Sequence, residues 1–129
     1  MEKKRAFISF DYDHDMELKN LLMGQAKNPD SPFEIIDMSI KETIDHNWKD
    51  NARRRIKRCN IVIIICGTHT DTARGVSAEL TIAREEDIAY FMLEGRRGLR
   101  CIKPKGALPA DKIYKWTWDN LKLLIGGAR

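Results

Sequence analysis

Side chains that can do chemistry gather in two stretches of this 129-residue chain. The first holds Ser9, Asp11, Tyr12, Asp13 and His14, at the end of a short apolar run. The second follows the longer apolar run Ile61 to Cys66 and holds Thr68, His69, Thr70, Asp71, Arg74, Ser77 and Glu79. Glu79 is the most informative of them. At about 100° per residue, with Val76 at zero, Leu80 falls near 40°, Ala83 near −20° and Glu79 near −60°. Its carboxylate thus borders the apolar stripe of a helix, one turn in, on the side facing the sheet end. A carboxyl group in a partly apolar cleft has a raised pKa and is poised for acid–base or nucleophilic work. Spacing alone favours a plainer reading, a surface carboxylate that complements the positive end of the helix dipole.

The other reactive types say less. His14, His46 and His69 lack the spacing of metal ligands, and no metal site is expected, although His14 and His69 could meet if their loops share a sheet end. Cys59, Cys66 and Cys101 are odd in number and form no C-x-x-C pair, so neither a disulfide framework nor structural zinc is expected. Cys66 closes an apolar run and should pack as a small hydrophobe.

The elements that must position these residues can be read from pattern and punctuation. Arg5 to Phe10 reads as a strand ending in the turn Asp11 to His14. Asp13 is a plausible N-cap for a helix opened by Met16 and Glu17, with Leu18, Leu21, Leu22 and Gln25 at helical spacing and Gly24 weakening its end. Asn28 to Pro32 is a breaker cluster, and Phe33 to Met38 a second strand. A helix from about Asp45 to Arg58 carries Trp48, Ala52, Ile56 and Cys59 on one stripe. Ile61 to Cys66 does not alternate, so it should be a strand buried on both faces. A helix from Gly75 or Val76 to Asp87 and a strand from Ile88 to Leu93 follow. Gly95 to Pro109 is loop-rich, with a short edge strand expected at Leu99 to Ile102. A last helix runs from Tyr114 or Trp116 to Ile125, with Trp118, Leu121 and Ile125 inward. Trp116 and Trp118, two apart, cannot share a helix face, so one belongs to the core and the other to a surface or interface.

Strands alternating with helices predict a three-layer α/β sandwich around a parallel sheet of four to five strands, in the flavodoxin-like order 2-1-3-4-5. Ligands bind such sheets at the carboxyl ends of the strands, at the switch point between the first and third. That rule selects the two reactive stretches. At 129 residues the chain is expected to be one domain, 1–129. A third of the residues are charged and 43% are hydrophobic, which argues against disorder. The longest apolar run is too short to span a bilayer and no signal-peptide segment appears, so a cytoplasmic protein without membrane contact is expected. The net charge is 23 − 19 = +4. The basic segment Arg53 to Arg58 presents its charges on more than one face without interleaved aromatics, so a solvated helix is expected and a nucleic-acid partner is not.

Phe7-Ile8-Ser9-Phe10 resembles the first-strand motif of TIR-type domains. Ile61 to Cys66, Gly67, Thr68, Thr70 and then Val76-Ser77-Ala78-Glu79-Leu80 with Ala83 are similar to the TIR-like family of the Thoeris anti-phage system. The resemblance covers about residues 4 to 93. It implies a flavodoxin-like, TIR-like fold and cleavage of the nicotinamide–ribose bond of NAD+, in some members with closure to a cyclic ADP-ribose isomer that activates an effector. It implies Glu79 as the catalytic residue. NAD+ is then a substrate, and no cofactor is required. Nicotinamide leaves neutral from a cationic nitrogen, and a carboxylate can stabilise or trap the ribose cation. Thr68, Thr70 and Ser77 would bond ribose or phosphate, N–H groups after Phe10 and at the helix start would face the diphosphate beside Asp11, and Phe10 or Tyr12 would stack on a ring. Self-association of TIR domains is implied as well. Where the family carries Trp four residues before the glutamate, this chain has Gly75, so that pocket wall is missing or replaced.

Three other readings compete. A phosphoacceptor receiver domain would use Asp11, Asp13 and Lys103-Pro104, but Cys66-Gly67-Thr68 stands where its acceptor aspartate belongs. Asp71 to Glu79 resembles the loop before the nucleophilic glutamate of nucleoside deoxyribosyltransferases, which also cleave an N-glycosidic bond. A non-enzymatic TIR-like signalling or interaction module is the third.

Overall fold

Six apolar residues in a row, without alternation, need cover on both faces, and Ile61–Cys66 (β3) receives it: every residue of the strand is buried. The computed structural model describes residues 3–41 and 47–129. Before β3 come Lys4–Ser9 (β1), Met16–Ala26 (α1), Phe33–Met38 (β2) and Trp48–Ile56 (α2). After it come a 3-10 turn at Thr70–Thr72, then Arg74–Glu85 (α3), Ala89–Glu94 (β4), Ile113–Lys115 (β5) and Trp118–Ile125 (α4). The strands are all parallel, in the order β2-β1-β3-β4-β5. This is the α/β sandwich with the expected strand order, and its fifth strand is present.

The side-chain period of a strand divides the core into two layers. Ile61, Ile63 and Ile65 of β3 pack with Leu18 and Leu22 of α1 and with Leu121, Leu124 and Ile125 of α4. Val62, Ile64 and Cys66 pack on the other face with Ala52 and Ile56 of α2 and Val76, Leu80 and Ala83 of α3. Each such Ile or Leu contributes about 1.5–3 kcal/mol on burial, so β3 anchors both helical layers at once. Cys66 is the small hydrophobe expected of it, and burial pushes its thiol up to about 12. On β1 the same alternation sends Ala6 and Ile8 toward α1 and Phe7 toward α2 and α3. Ser9, two residues beyond Phe7, therefore ends the strand on the α2–α3 side.

Several local expectations are corrected. Asp13 does not cap α1: the cap position is Asp15, and its side chain makes no capping bond. The turn is organised by Asp11, whose Oδ1 accepts the Asp13 N–H (3.1 Å) and whose carbonyl accepts the Asp15 N–H (2.9 Å). The helix still opens at Met16, as expected, with its cap two residues later than Asp13. Leu21 is exposed although it fits the helical spacing, and α1 runs past Gly24 to Ala26. The edge strand at 99–102 does not form. Leu99 is exposed and Ile102 makes one backbone bond, to the Gly67 carbonyl (3.0 Å), while β4 takes Ile113–Lys115 as its neighbour. The last helix starts only at Trp118, because Tyr114 belongs to β5 and Thr117 caps the helix by accepting the Asn120 N–H. Trp116 thus lies outside the helix, and both Trp116 and Trp118 pack against the α1–α4 core. Trp116 also donates its ring N–H to Gln25 (2.7 Å). The expected start of α2 at Asp45 and the residue His46 lie outside the described residues.

Candidate functional site

At the carboxyl ends of β1 and β3 the two reactive stretches come together, around Glu79. Glu79 belongs to the apolar face of α3, with Val76, Leu80 and Ala83, and is only 3% exposed. Its Oε1 accepts the Ser9 hydroxyl at 2.7 Å and the Ser39 hydroxyl at 2.5 Å. Ser39 is itself tied to the end of β1: its N–H donates to the Ile8 carbonyl (2.8 Å), and its Oγ accepts the Phe10 N–H (3.1 Å). One carboxylate oxygen therefore gathers β1, the end of β2 and α3. Among the described residues no hydrogen bond engages Oε2.

Burial is the strongest influence on this carboxyl and pushes it up to about 7, against the pull of the Ser39 and Ser9 hydroxyls and the Arg55 guanidinium. Arg55 of α2 does not pair with Glu79. It is held by Asp37 (2.9 Å) and by the Met38 carbonyl, with its guanidinium over the Phe7 ring at 5.4 Å from the centroid. A carboxyl near neutrality, without a cation in direct contact, can exchange a proton or meet a developing positive charge.

Above Glu79 opens a cleft of about 850 Å³. Phe10, Asp11, Tyr12, Asp13 and His14 line one wall, and Ser39, Trp48 and Arg55 line another. The third wall runs from Thr72 into the first turn of α3, to Val76. Lys41, Lys49 and Arg74 stand exposed on the lining, so the cleft combines a buried acid with a basic rim. Gly75 lies on this wall, and a Cβ there would meet nothing within 4 Å. The wall is thus open at position 75, and the indole of Trp48, from α2, lines the same cleft.

Of the seven residues to which the resemblance gives a role, Phe10, Asp11, Tyr12 and Glu79 share this cleft. Phe10 is buried, and Tyr12, more exposed, stacks beside it with 6.0 Å between ring centroids. The other three go elsewhere. Thr70 is buried and its Oγ1 accepts the Gly67 N–H at 2.7 Å, which closes the turn after β3. Thr68 Oγ1 lies 3.1 Å from His69 Nδ1. Ser77 lines a second cleft of about 700 Å³ on the far side of the Thr72–Arg74 loop. Ser39, Arg55 and Trp48 were missed. The hint for Ser39 was its place one residue past β2, beside β1 in a 2-1-3 sheet.

His14 and His69 do meet: their rings stack at 4.1 Å between centroids, 11° from parallel. No group of three or more His, Cys, Asp and Glu side chains arranged to hold a metal occurs among the described residues. No helix among them is long and apolar enough to cross a membrane.

The parallel 2-1-3-4-5 sheet is the fold of a TIR-like domain, and the glutamate buried at its switch point is compatible with that class. The family model described as "Thoeris protein ThsB, TIR-like domain" matches residues 7–96, and the chain belongs to that family. Its role accordingly falls within TIR-type defence and signalling. The crystal structure of a prokaryotic SEFIR domain is similar in fold, with a TM-score of 0.57 and 17% identity over 93% of this chain and 86% of that one. No curated protein matches the chain.

Proposed function

We propose that this domain cleaves the bond between nicotinamide and ribose in NAD+, with Glu79 facing the ribose cation that develops. The observation that carries the reading is the Glu79 carboxyl itself: buried at the switch point, held through one oxygen by two serine hydroxyls, and raised to about 7 below a cleft with a basic rim. Bond cleavage sends the electron pair to nicotinamide, which leaves neutral, and places positive charge on the ribose. The ionised carboxylate stabilises that charge or traps it covalently, at an energy scale set by the low-dielectric site. Lys41, Lys49 and Arg74 complement the diphosphate, and Phe10, Tyr12 and Trp48 offer aromatic surface to a ring. Water capture gives ADP-ribose; capture from within the molecule gives a cyclic isomer able to act on an effector protein. Self-association of the domain fits a site completed or activated by assembly.

Incubation of concentrated protein with NAD+, followed by chromatography, tests the reading. Nicotinamide release that is lost in Glu79→Gln supports it. No release under any assembly condition supports the alternative of a non-enzymatic interaction module.

A further inference from the structure

Glu79 faces the cation but leaves one requirement of the reaction unmet. Capture by water or a ribose hydroxyl frees a proton, and something must take it. The Asp11–His14 pair on the opposite wall has the geometry for that task. Asp11 is buried, and its Oδ2 lies 2.7 Å from His14 Nδ1. A carboxylate only accepts, so Nδ1 carries the proton and Nε2 is the basic nitrogen. His69, from the loop after β3, stacks on the ring at 4.1 Å, with its own Nδ1 against Thr68. From the β4–β5 connection, Arg96 donates to the His14 carbonyl (2.7 Å) while it also holds Asp15 and Glu17. His14 is thus fixed at its ring edge, its ring face and its backbone, although its side chain is 45% exposed and lines the cleft.

We propose that His14 is the general base of the capture step, with Asp11 and His69 as positioning residues; this rests on the NAD+ reading above. The C1′–N bond breaks and its electron pair leaves with nicotinamide. The nucleophile's oxygen forms the C1′–O bond with a lone pair. Its proton passes to His14 Nε2 and from there to solvent.

A pyridine base separates this step from cleavage, because a pyridine nitrogen attacks C1′ with a lone pair and has no proton to lose. The full-length protein is incubated with NAD+ and 3-acetylpyridine, and the exchanged dinucleotide is measured alongside ADP-ribose products. His14→Asn keeps an N–H toward Asp11 and should shift the ratio of oxygen capture to exchange about 100-fold toward exchange. His69→Ala should shift it the same way by less, and the exchange product itself reports a folded site. Equal loss of both reactions in His14→Asn, loss of exchange alone, or loss of neither overturns the assignment. Wild-type protein that neither releases nicotinamide nor exchanges it overturns the NAD+ reading, and this one with it.

Discussion

Of the carboxyls buried at this end of the sheet, Glu79 and Asp15 lie on opposite sides of β3. Glu79 is 3% exposed and Asp15 is 1% exposed, and burial raises both above their ordinary values. Their partners differ. Glu79 receives two neutral hydroxyls and opens on a cleft. Asp15 is paired to the Arg96 guanidinium at 3.0 Å, which also reaches Glu17 and the His14 carbonyl, and so clamps the start of α1 to the β4–β5 connection. Its Oδ2 is buried without a partner among the described residues, close against Gly67. A cation in contact compensates a buried charge and holds it in place; hydroxyls satisfy the carboxyl without fixing its charge. The first arrangement suits a strut and the second suits a group that must meet a transient positive charge.

The sharpest way to break this contrast is at Glu79. Glu79→Gln keeps the shape and both serine contacts, and NAD+ cleavage should fall by about 10³-fold or more while the protein stays folded. Chromatography of nicotinamide and a melting curve check the two halves; activity within tenfold of wild type would make Glu79 a structural residue like Asp15.

At the Asp15 side the expected effect is on stability. A Cβ at Gly67 would lie 2.4 Å from Asp15 Oδ2, and a carboxyl so deeply buried cannot swing away. Gly67→Ala should cost about 2–4 kcal/mol in denaturant unfolding, and the double variant with Asp15→Ala should lose less than the sum of the singles.

The charge of Glu79 makes a third test. Its carboxyl titrates at about 7 in the folded protein against 4.5 as an ordinary glutamate, so the folded state holds the proton more tightly. That contribution is fully present at low pH and is lost as pH rises from about 4.5 through 7. Glu79→Gln has no such loss. It should exceed wild type by roughly 1–3 kcal/mol near pH 8, and the gap should close near pH 4. Unfolding of both proteins across that range measures it.

The smallest effect concerns Ser39. Its hydroxyl favours the ionised carboxyl, so Ser39→Ala should raise the Glu79 pKa further and move the acid limb of the pH–rate profile to higher pH. An unmoved limb would mean that Ser9 alone sets the charge.

The difference between the two acids was only half legible in the chain. The 3.6-residue period put Glu79 at the border of an apolar stripe, and the structure buries it fully. Nothing local marked Asp15: it sits in a turn with Asp11 and Asp13, and Asp13 looked the better cap. Arg96, its partner, lies 81 residues away. Arg55, which shares the cleft with Glu79, reads in sequence as one cation in a basic run, and only Asp37 and the Phe7 ring give it a fixed place.

Periodicity and punctuation located the alternating strands and helices, because those patterns lie within a few residues of chain, and the general rules of parallel sheets turned them into the sandwich, its strand order and the end where ligands bind. The tertiary structure decided which hydroxyls meet Glu79, that Thr70 closes a turn and Ser77 faces another cleft, and that two histidines stack. Those outcomes depend on how β1, β2 and α3 converge, and side chains 40 and 70 residues apart meet on one carboxylate oxygen only after the sheet has formed.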